Sequence, residues 1–131
     1  METTDARILV IDDDDEVRQS ISLLLRSKGF SRVDGASGAK EGVKMASESR
    51  YDLILLDMIM PKVSGWGALE EISRAKITTR VLVVSAVGLP EVVERKLAKD
   101  YPSVMFMQKT RMAAGLVEKI EDALEKPAGA I

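Results

Sequence analysis

The chain alternates short, continuously apolar runs with longer segments in which hydrophobic residues recur every three or four positions. The apolar runs have the length of buried β-strands, and they lie at Arg7–Ile11, around Val33, and at Leu53–Leu56, Arg80–Val84 and Val104–Met107. The periodic segments between them have the spacing of helices with one buried face. Five strand–helix units, with a short and weak second strand and near-continuously apolar strands elsewhere, predict a parallel sheet covered by helices on both faces.

Capping residues and glycines mark the predicted helix ends. We expect Asp14 or Asp15 to cap the first helix and Gly29 to end it, while Ser37 and Ser64 cap the second and third helices. The residues predicted to face the core from the five helices are Val17, Ile21, Leu24, Leu25, Lys28, Val43, Ala46, Ala68, Leu69, Ile72, Val93, Leu97, Met112, Leu116 and Ile120.

Length and composition narrow the range of functions. A chain of 131 residues fits one domain, predicted over residues 1–126, with residues 127–131 as a tail or the start of a linker. The net charge of −2 and the lack of a basic tail argue against direct binding of nucleic acid by this chain.

No Cys and no His are present, which excludes disulfides, zinc–thiolate sites and phosphohistidine within the chain. We find no membrane-length apolar run and no signal peptide, so we expect a cytoplasmic protein without membrane contact.

Polar side chains follow four of the predicted strands. Asp12 and Asp13 follow the first strand, Asp57 the third, Ser85 the fourth and Lys109 the fifth. In an open parallel sheet these positions share the edge where ligands bind. Three carboxylates need a counter-charge, which Mg²⁺ supplies through oxygen ligands, and the ammonium adds a second positive charge. Two cations, a hydroxyl and a carboxylate nucleophile describe a site that receives a phosphoryl group on an aspartate.

Simpler explanations exist for each acid taken alone. Asp14, Asp15 and Glu16 are expected to cap the first helix and to fill its first turn, where the helix dipole favours negative charge. A single Asp after a strand is more often a turn residue than a nucleophile. The coincidence of polar residues at four strand ends is what favours the chemical interpretation.

At these residues the sequence resembles the response regulator receiver domain, in the manner of a chemotaxis regulator, over nearly its whole length. The matching pieces are Asp12-Asp13 after ILVI, the stretch DMIMPKVSG from Asp57 to Gly65, VVSA from Val83 to Ala86, and FMQK ending at Lys109. The resemblance implies an α/β, flavodoxin-like fold with a doubly wound five-stranded parallel sheet in the order 2-1-3-4-5.

The resemblance also implies a role for each site residue. Asp57 would be the phosphoacceptor, and Asp13, Asp57 and the backbone carbonyl of Ile59 would bind Mg²⁺ directly, with Asp12 acting largely through water. Ser85 and Lys109 would contact the phosphoryl oxygens. Ser85 and Phe106 would form the switch that rearranges the face built by helix four, strand five and helix five.

The same family implies partners for the domain. The phosphoryl donor would be a phosphohistidine on a sensor histidine kinase or a phosphotransfer protein, and an output domain or partner protein would read the signal. A homodimer is compatible with this scheme. The domain would catalyse only its own phosphotransfer and dephosphorylation, so it would not be an enzyme in the usual sense.

Three other functions would account for part of this pattern. An aspartate-nucleophile phosphohydrolase typically has a second acid two residues after its nucleophile, where this chain has Ile59. A flavodoxin-type FMN carrier needs a first loop rich in Ser, Thr and Gly, whereas this loop is acidic. The remaining alternative is a receiver-like interaction module that is never phosphorylated, against which the intact set of Asp57, Ser85 and Lys109 argues.

One position departs from the family pattern. The family usually has Lys-Pro joined by a cis peptide where this chain has Lys109-Thr110. A cis bond before Thr costs roughly 3–4 kcal/mol. We therefore predict a trans peptide, and Thr110 is available to cap the last helix.

Overall fold

Five parallel strands form one sheet in the computed structural model, which describes residues 3–129 and 131. The strands are β1 (Arg7–Ile11), β2 (Arg32–Ala36), β3 (Leu53–Leu56), β4 (Arg80–Ser85) and β5 (Met105–Gln108). Their order across the sheet is β2-β1-β3-β4-β5, as predicted. Of the predicted segments 1–126 and 127–131, Met1, Glu2 and Ala130 lie outside the described residues.

Five α-helices connect and flank the strands. They are α1 (Asp15–Ser27), α2 (Ala39–Glu48), α3 (Gly65–Arg74), α4 (Pro90–Asp100) and α5 (Met112–Glu125). Two of the predicted caps are confirmed, because the Asp14 carboxylate accepts from the N–H groups of Glu16 and Val17, and the Ser64 hydroxyl accepts from the N–H of Gly67. None of the described helices is both long enough and apolar enough to cross a lipid bilayer.

Three predicted details of the helices are wrong. Gly38 is the N-cap of α2, so Ser37 lies one residue before the cap; its hydroxyl donates to the Glu41 carboxylate at 3.0 Å, and no side-chain hydrogen bond caps the helix. Lys28 is exposed at the C-cap of α1, where its ammonium remains hydrated. Thr110 lies within a 3₁₀ turn, Lys109–Arg111, and no side-chain hydrogen bond caps α5.

The peptide bond before Thr110 is trans, as predicted, like every other bond in the described part of the chain.

The core consists of two apolar layers, one on each face of the sheet. Alternate residues of β1 and β3 point to opposite faces, and both faces are buried, so β3 and residues 8–11 of β1 are apolar. One layer contains Leu9, Ile11, Ile54 and Leu56 from the strands and Ala46, Ala68, Leu69, Ile72 and Leu97 from α2, α3 and α4. The other contains Ile8, Val10, Leu53 and Leu55 with Ile21, Leu25, Leu116 and Ile120 from α1 and α5.

The described tail residues lie against the domain. The Arg80 guanidinium donates to the carbonyl of Lys126, and the Gly129 N–H donates to the carbonyl of Thr78 at 3.1 Å. The Ser73 hydroxyl donates to the carbonyl of Ile131 at 3.1 Å. The predicted division after residue 126 stays a prediction.

Candidate functional site

The polar residues predicted from the strand ends meet around Asp57. The Ser85 hydroxyl donates to Asp57 Oδ1 at 2.6 Å, and Lys109 Nζ lies 3.3 Å from Asp57 Oδ2. The same ammonium lies 2.8 Å from Asp12 Oδ2. Asp57 is 4% exposed, Asp12 2% and Ser85 0%, so these groups are largely removed from water. Asp57 is therefore held between a hydroxyl on one oxygen and an ammonium on the other.

Backbone groups fix the orientation of Asp57 and Ser85. The Ile59 N–H donates to Asp57 Oδ1 at 3.1 Å, and the Met58 N–H donates to Ser85 Oγ at 3.2 Å. The N–H of Asp57 itself donates to the carbonyl of Ile11 at 3.0 Å. These hydrogen bonds fix the positions of the Asp57 carboxylate and the Ser85 hydroxyl relative to the backbone.

Gly65 allows the start of α3 to lie directly on the loop that follows β3. A Cβ atom at this position would be 2.5 Å from Met58 Cα and 2.7 Å from the carbonyl oxygen of Asp57. Both contacts are with backbone, which cannot rotate away as a side chain can. The glycine is therefore required for the backbone of Asp57 to keep its position.

The buried charges influence one another's ionisation. Burial raises the pKa of Asp12, and the nearby Asp57 raises it further, against the opposing effects of Lys109 and the Asp14 N–H. Burial lowers the pKa of Lys109, but its contacts with Asp12 and Asp57 outweigh burial and raise the pKa overall. Lys109 is consequently an ammonium at neutral pH, while the site retains an excess of carboxylate.

The donor set at this edge fits a hard divalent cation. One carboxylate oxygen from each of Asp12, Asp13 and Asp57 lies within 4.8 Å of the others. Asp13 is exposed and Asp12 and Asp57 are buried, so the cluster opens to solvent on the side of Asp13. Three acids against one ammonium leave an excess of two negative charges, and oxygen ligands of this kind suit Mg²⁺.

The other two predicted site residues lie close by in the fold. Ile59 follows Asp57 by two residues, and its side chain is 59% exposed. Phe106 is half-buried on β5, directly beside Val83 of β4, and packs against the core layer that includes α3 and α4.

Two residues of the site region were not predicted from the sequence. Arg18 on α1 donates to the carbonyl of Asp12 at 2.6 Å and also contacts the Asp15 carboxylate. Gln108, the last residue of β5, bonds through its carboxamide to both backbone groups of Val87. A polar residue at the end of the otherwise apolar run VMFMQ was the one available signal for Gln108.

Comparison with known proteins shows the family of this chain. The response regulator receiver domain family matches residues 8–121 of the chain. The chain belongs to this family. The cell cycle response regulator CtrA of Brucella ovis is 35% identical over 103 residues, which are 76% of this chain and 44% of CtrA. This receiver-domain chain therefore matches less than half the length of that relative.

Solved structures show the same fold. The crystal structure of FixJ-N has a TM-score of 0.80 at 28% identity, and the match covers 97% of this chain and 98% of FixJ-N. The chemotaxis protein CheY4 of Vibrio cholerae has a TM-score of 0.77 at 22% identity, covering 91% of this chain and 98% of CheY4. The predictions of a flavodoxin-like fold and of the receiver domain family are confirmed, and receiver domains are signalling domains.

Proposed function

We propose that this receiver domain accepts a phosphoryl group on Asp57 as part of a two-component signalling system. The observation that carries the proposal is the placement of the Asp57 carboxylate between the Ser85 hydroxyl at 2.6 Å and the Lys109 ammonium at 3.3 Å. A hydroxyl donor and a fixed positive charge on either side of a largely buried carboxylate are suited to hold an incoming phosphoryl group.

The transfer step needs little from the protein beyond positioning and charge. One Asp57 carboxylate oxygen forms the new bond to phosphorus while the phosphorus–nitrogen bond of a donor phosphohistidine breaks, and the electron pair of that bond returns to the imidazole. Ser85 donates its hydrogen bond to the transferred group, and Lys109 balances the negative charge. The phosphohistidine lies outside this chain, which has no histidine, and in this proposal it belongs to a sensor histidine kinase or a phosphotransfer protein.

Mg²⁺ is the cofactor in this proposal. Asp12, Asp13, Asp57 and the backbone carbonyl of Ile59 would hold it, with Asp12 acting largely through water. When bound, the ion supplies positive charge that offsets the acids and the phosphoryl oxygens. The excess of carboxylate over ammonium in the described site supports this assignment.

In this proposal, phosphorylation of Asp57 changes the conformation of β4 and then of the neighbouring strand β5. Ser85 and Phe106 lie on neighbouring strands, because Val83 pairs with Phe106 and Ser85 pairs with Gln108. A shift of Ser85 toward a phosphoryl group on Asp57 would change the packing behind it, where Phe106 is half-buried. An output domain or partner protein would read that change, and a homodimer is compatible with it.

The cytoplasmic location expected from the sequence belongs to the same proposal.

Acetyl phosphate tests the proposal without a cognate kinase. Incubation with acetyl phosphate and Mg²⁺ should increase the mass of the intact protein by one phosphoryl group, and chelation of the metal should prevent it. Asp57→Asn should abolish the increase, whereas Asp100→Asn, at an exposed residue at the end of α4, should not. A parent protein that gains no mass would instead favour the interaction module that is never phosphorylated.

A further inference from the structure

Gln108 joins the end of β5 to the loop that follows β4. Its Nε2 donates to the carbonyl of Val87 at 3.0 Å, and its Oε1 accepts from the N–H of Val87 at 3.2 Å. The carboxamide therefore satisfies both backbone groups of one loop residue, in the way that one strand pairs with another. In the described residues no other hydrogen bond is made by the Val87 backbone.

Few other contacts hold the loop of residues 86–89 in place. Ala86 and Gly88 are exposed, and Leu89 is 61% exposed. The helix that follows buries a single residue fully, Leu97, which lies two turns into α4. A loop with so few buried contacts depends strongly on the hydrogen bonds it does make.

Both ends of this connection carry groups that contact Asp57. Ser85 lies two residues before Val87 and donates to Asp57 Oδ1, while Lys109 directly follows Gln108 and contacts Asp57 Oδ2. A bond between Gln108 and Val87 thus ties together the two segments that hold Asp57 from opposite sides.

We propose that Gln108 is a positioning residue for phosphoryl transfer. Its carboxamide clamps the loop after β4 to the end of β5 and so keeps Ser85 and Lys109 at their distances from Asp57. This role rests on the proposed phosphorylation of Asp57, whereas the clamp itself is a property of the protein without phosphate.

The test compares Gln108→Met with Gln19→Met. Methionine is close to glutamine in size but forms no comparable hydrogen bond, and Gln19, the only other glutamine in the chain, is exposed on α1. Gln108→Asn is a second variant that keeps a carboxamide but is too short to reach both groups of Val87. Thermal unfolding of each variant shows that it folds.

Amide hydrogen exchange reports the clamp directly. A neutral hydrogen bond shifts an equilibrium by roughly 2- to 12-fold, so we expect exchange of the Val87 N–H to accelerate by a factor within this range in both Gln108 variants. In the parent, one carboxamide proton of Gln108 should be displaced in the NMR spectrum relative to those of Gln19. The rate of phosphorylation by acetyl phosphate with saturating Mg²⁺ should fall several-fold in the Gln108 variants and remain unchanged in Gln19→Met.

The possible outcomes separate the clamp from the proposed function. Equal exchange of the Val87 N–H in the parent and in Gln108→Met would overturn the clamp, whatever the phosphorylation rates are. Faster exchange with an unchanged phosphorylation rate would overturn the positioning role alone. If the parent takes no phosphoryl group although the exchange rates differ, the proposed function fails and the positioning role falls with it, while the clamp remains.

Discussion

Lys109 lies 2.8 Å from Asp12, and this ammonium is the closest positive group to a carboxylate that is almost fully buried. The contact does not compensate Asp12 completely, because burial still raises the pKa of that carboxyl group. Lys109 also contacts Asp57 at 3.3 Å, so one positive charge serves two buried acids. A site arranged in this way holds unfavourable charge that a bound cation would relieve.

Asp12→Asn is expected to stabilise the protein near pH 7 when divalent ions are absent. The pKa of Asp12 is higher in the folded protein than in the unfolded chain, where it is about 3.8. The protonated carboxyl therefore stabilises the fold at low pH, and this stabilisation is lost as the pH rises through the folded-state pKa. The parent therefore carries a destabilising carboxylate at pH 7 that the variant lacks. The difference in unfolding free energy should shrink as the pH falls.

Urea unfolding in a chelating buffer at several pH values measures this difference. A variant that is less stable than the parent at pH 7 would mean that the Lys109 pair outweighs the desolvation of Asp12.

Asp13→Ala is expected to abolish binding of Mg²⁺ or Mn²⁺. Asp13 is the exposed member of the three-acid cluster, and loss of even an outer partner of a metal site commonly weakens binding by roughly 10–100-fold. Calorimetric titration measures the affinity directly. A change in Trp66 fluorescence is a second expected signal, because Trp66 directly follows Gly65, whose backbone packs against that of Asp57.

Glu16→Ala is the matched control for the metal prediction, because Glu16 is an exposed acid in the first turn of α1. Its affinity should equal that of the parent. Undiminished binding in Asp13→Ala would remove Asp13 from the metal site.

The sheet and the site edge could be predicted from sequence because each depends on local patterns. Apolar runs such as Leu53–Leu56 are buried on both faces and so carry an unambiguous signal. The polar residues at the strand ends then fall at one edge by topology alone. The Gln108–Val87 contact could not be predicted, because it depends on a side-chain conformation and on the register of β4 against β5. The predicted Ser37 cap was wrong because α2 begins one residue later than a Ser37 cap requires, with Gly38 at the N-cap.

Gly65→Ala is expected to destabilise the protein by about 1–3 kcal/mol, the usual cost of inserting a group into a packed region. The new methyl group would lie 2.5 Å from Met58 Cα, and the backbone of Asp57 would have to move. Gly88→Ala is the control, because a Cβ atom there meets nothing within 4 Å. Chemical denaturation measures both variants, and equal stabilities would contradict the close packing at Gly65.

Phosphorylated Asp57 is expected to lose its phosphoryl group slowly. Hydrolysis needs a water in line with the bond between Asp57 and phosphorus, and in receivers the side chains two residues after the acceptor Asp and two after the Ser or Thr flank its approach. Here these are Ile59, which is 59% exposed, and Val87, whose backbone is held by Gln108. Neither side chain can bind or orient a water, and both are branched enough to crowd its path.

The double variant Ile59→Asn, Val87→Glu should therefore lose phosphate faster than the parent. Help from a group that positions or activates water is commonly worth roughly 10²–10⁴-fold, so an increase of at least about tenfold is expected. Loss of the added mass over time, with Mg²⁺ saturating, measures the rate. Val92→Glu, at an exposed residue of α4, controls for the added charge and should decay like the parent. Equal or slower decay in the double variant would show that something other than these two side chains limits hydrolysis.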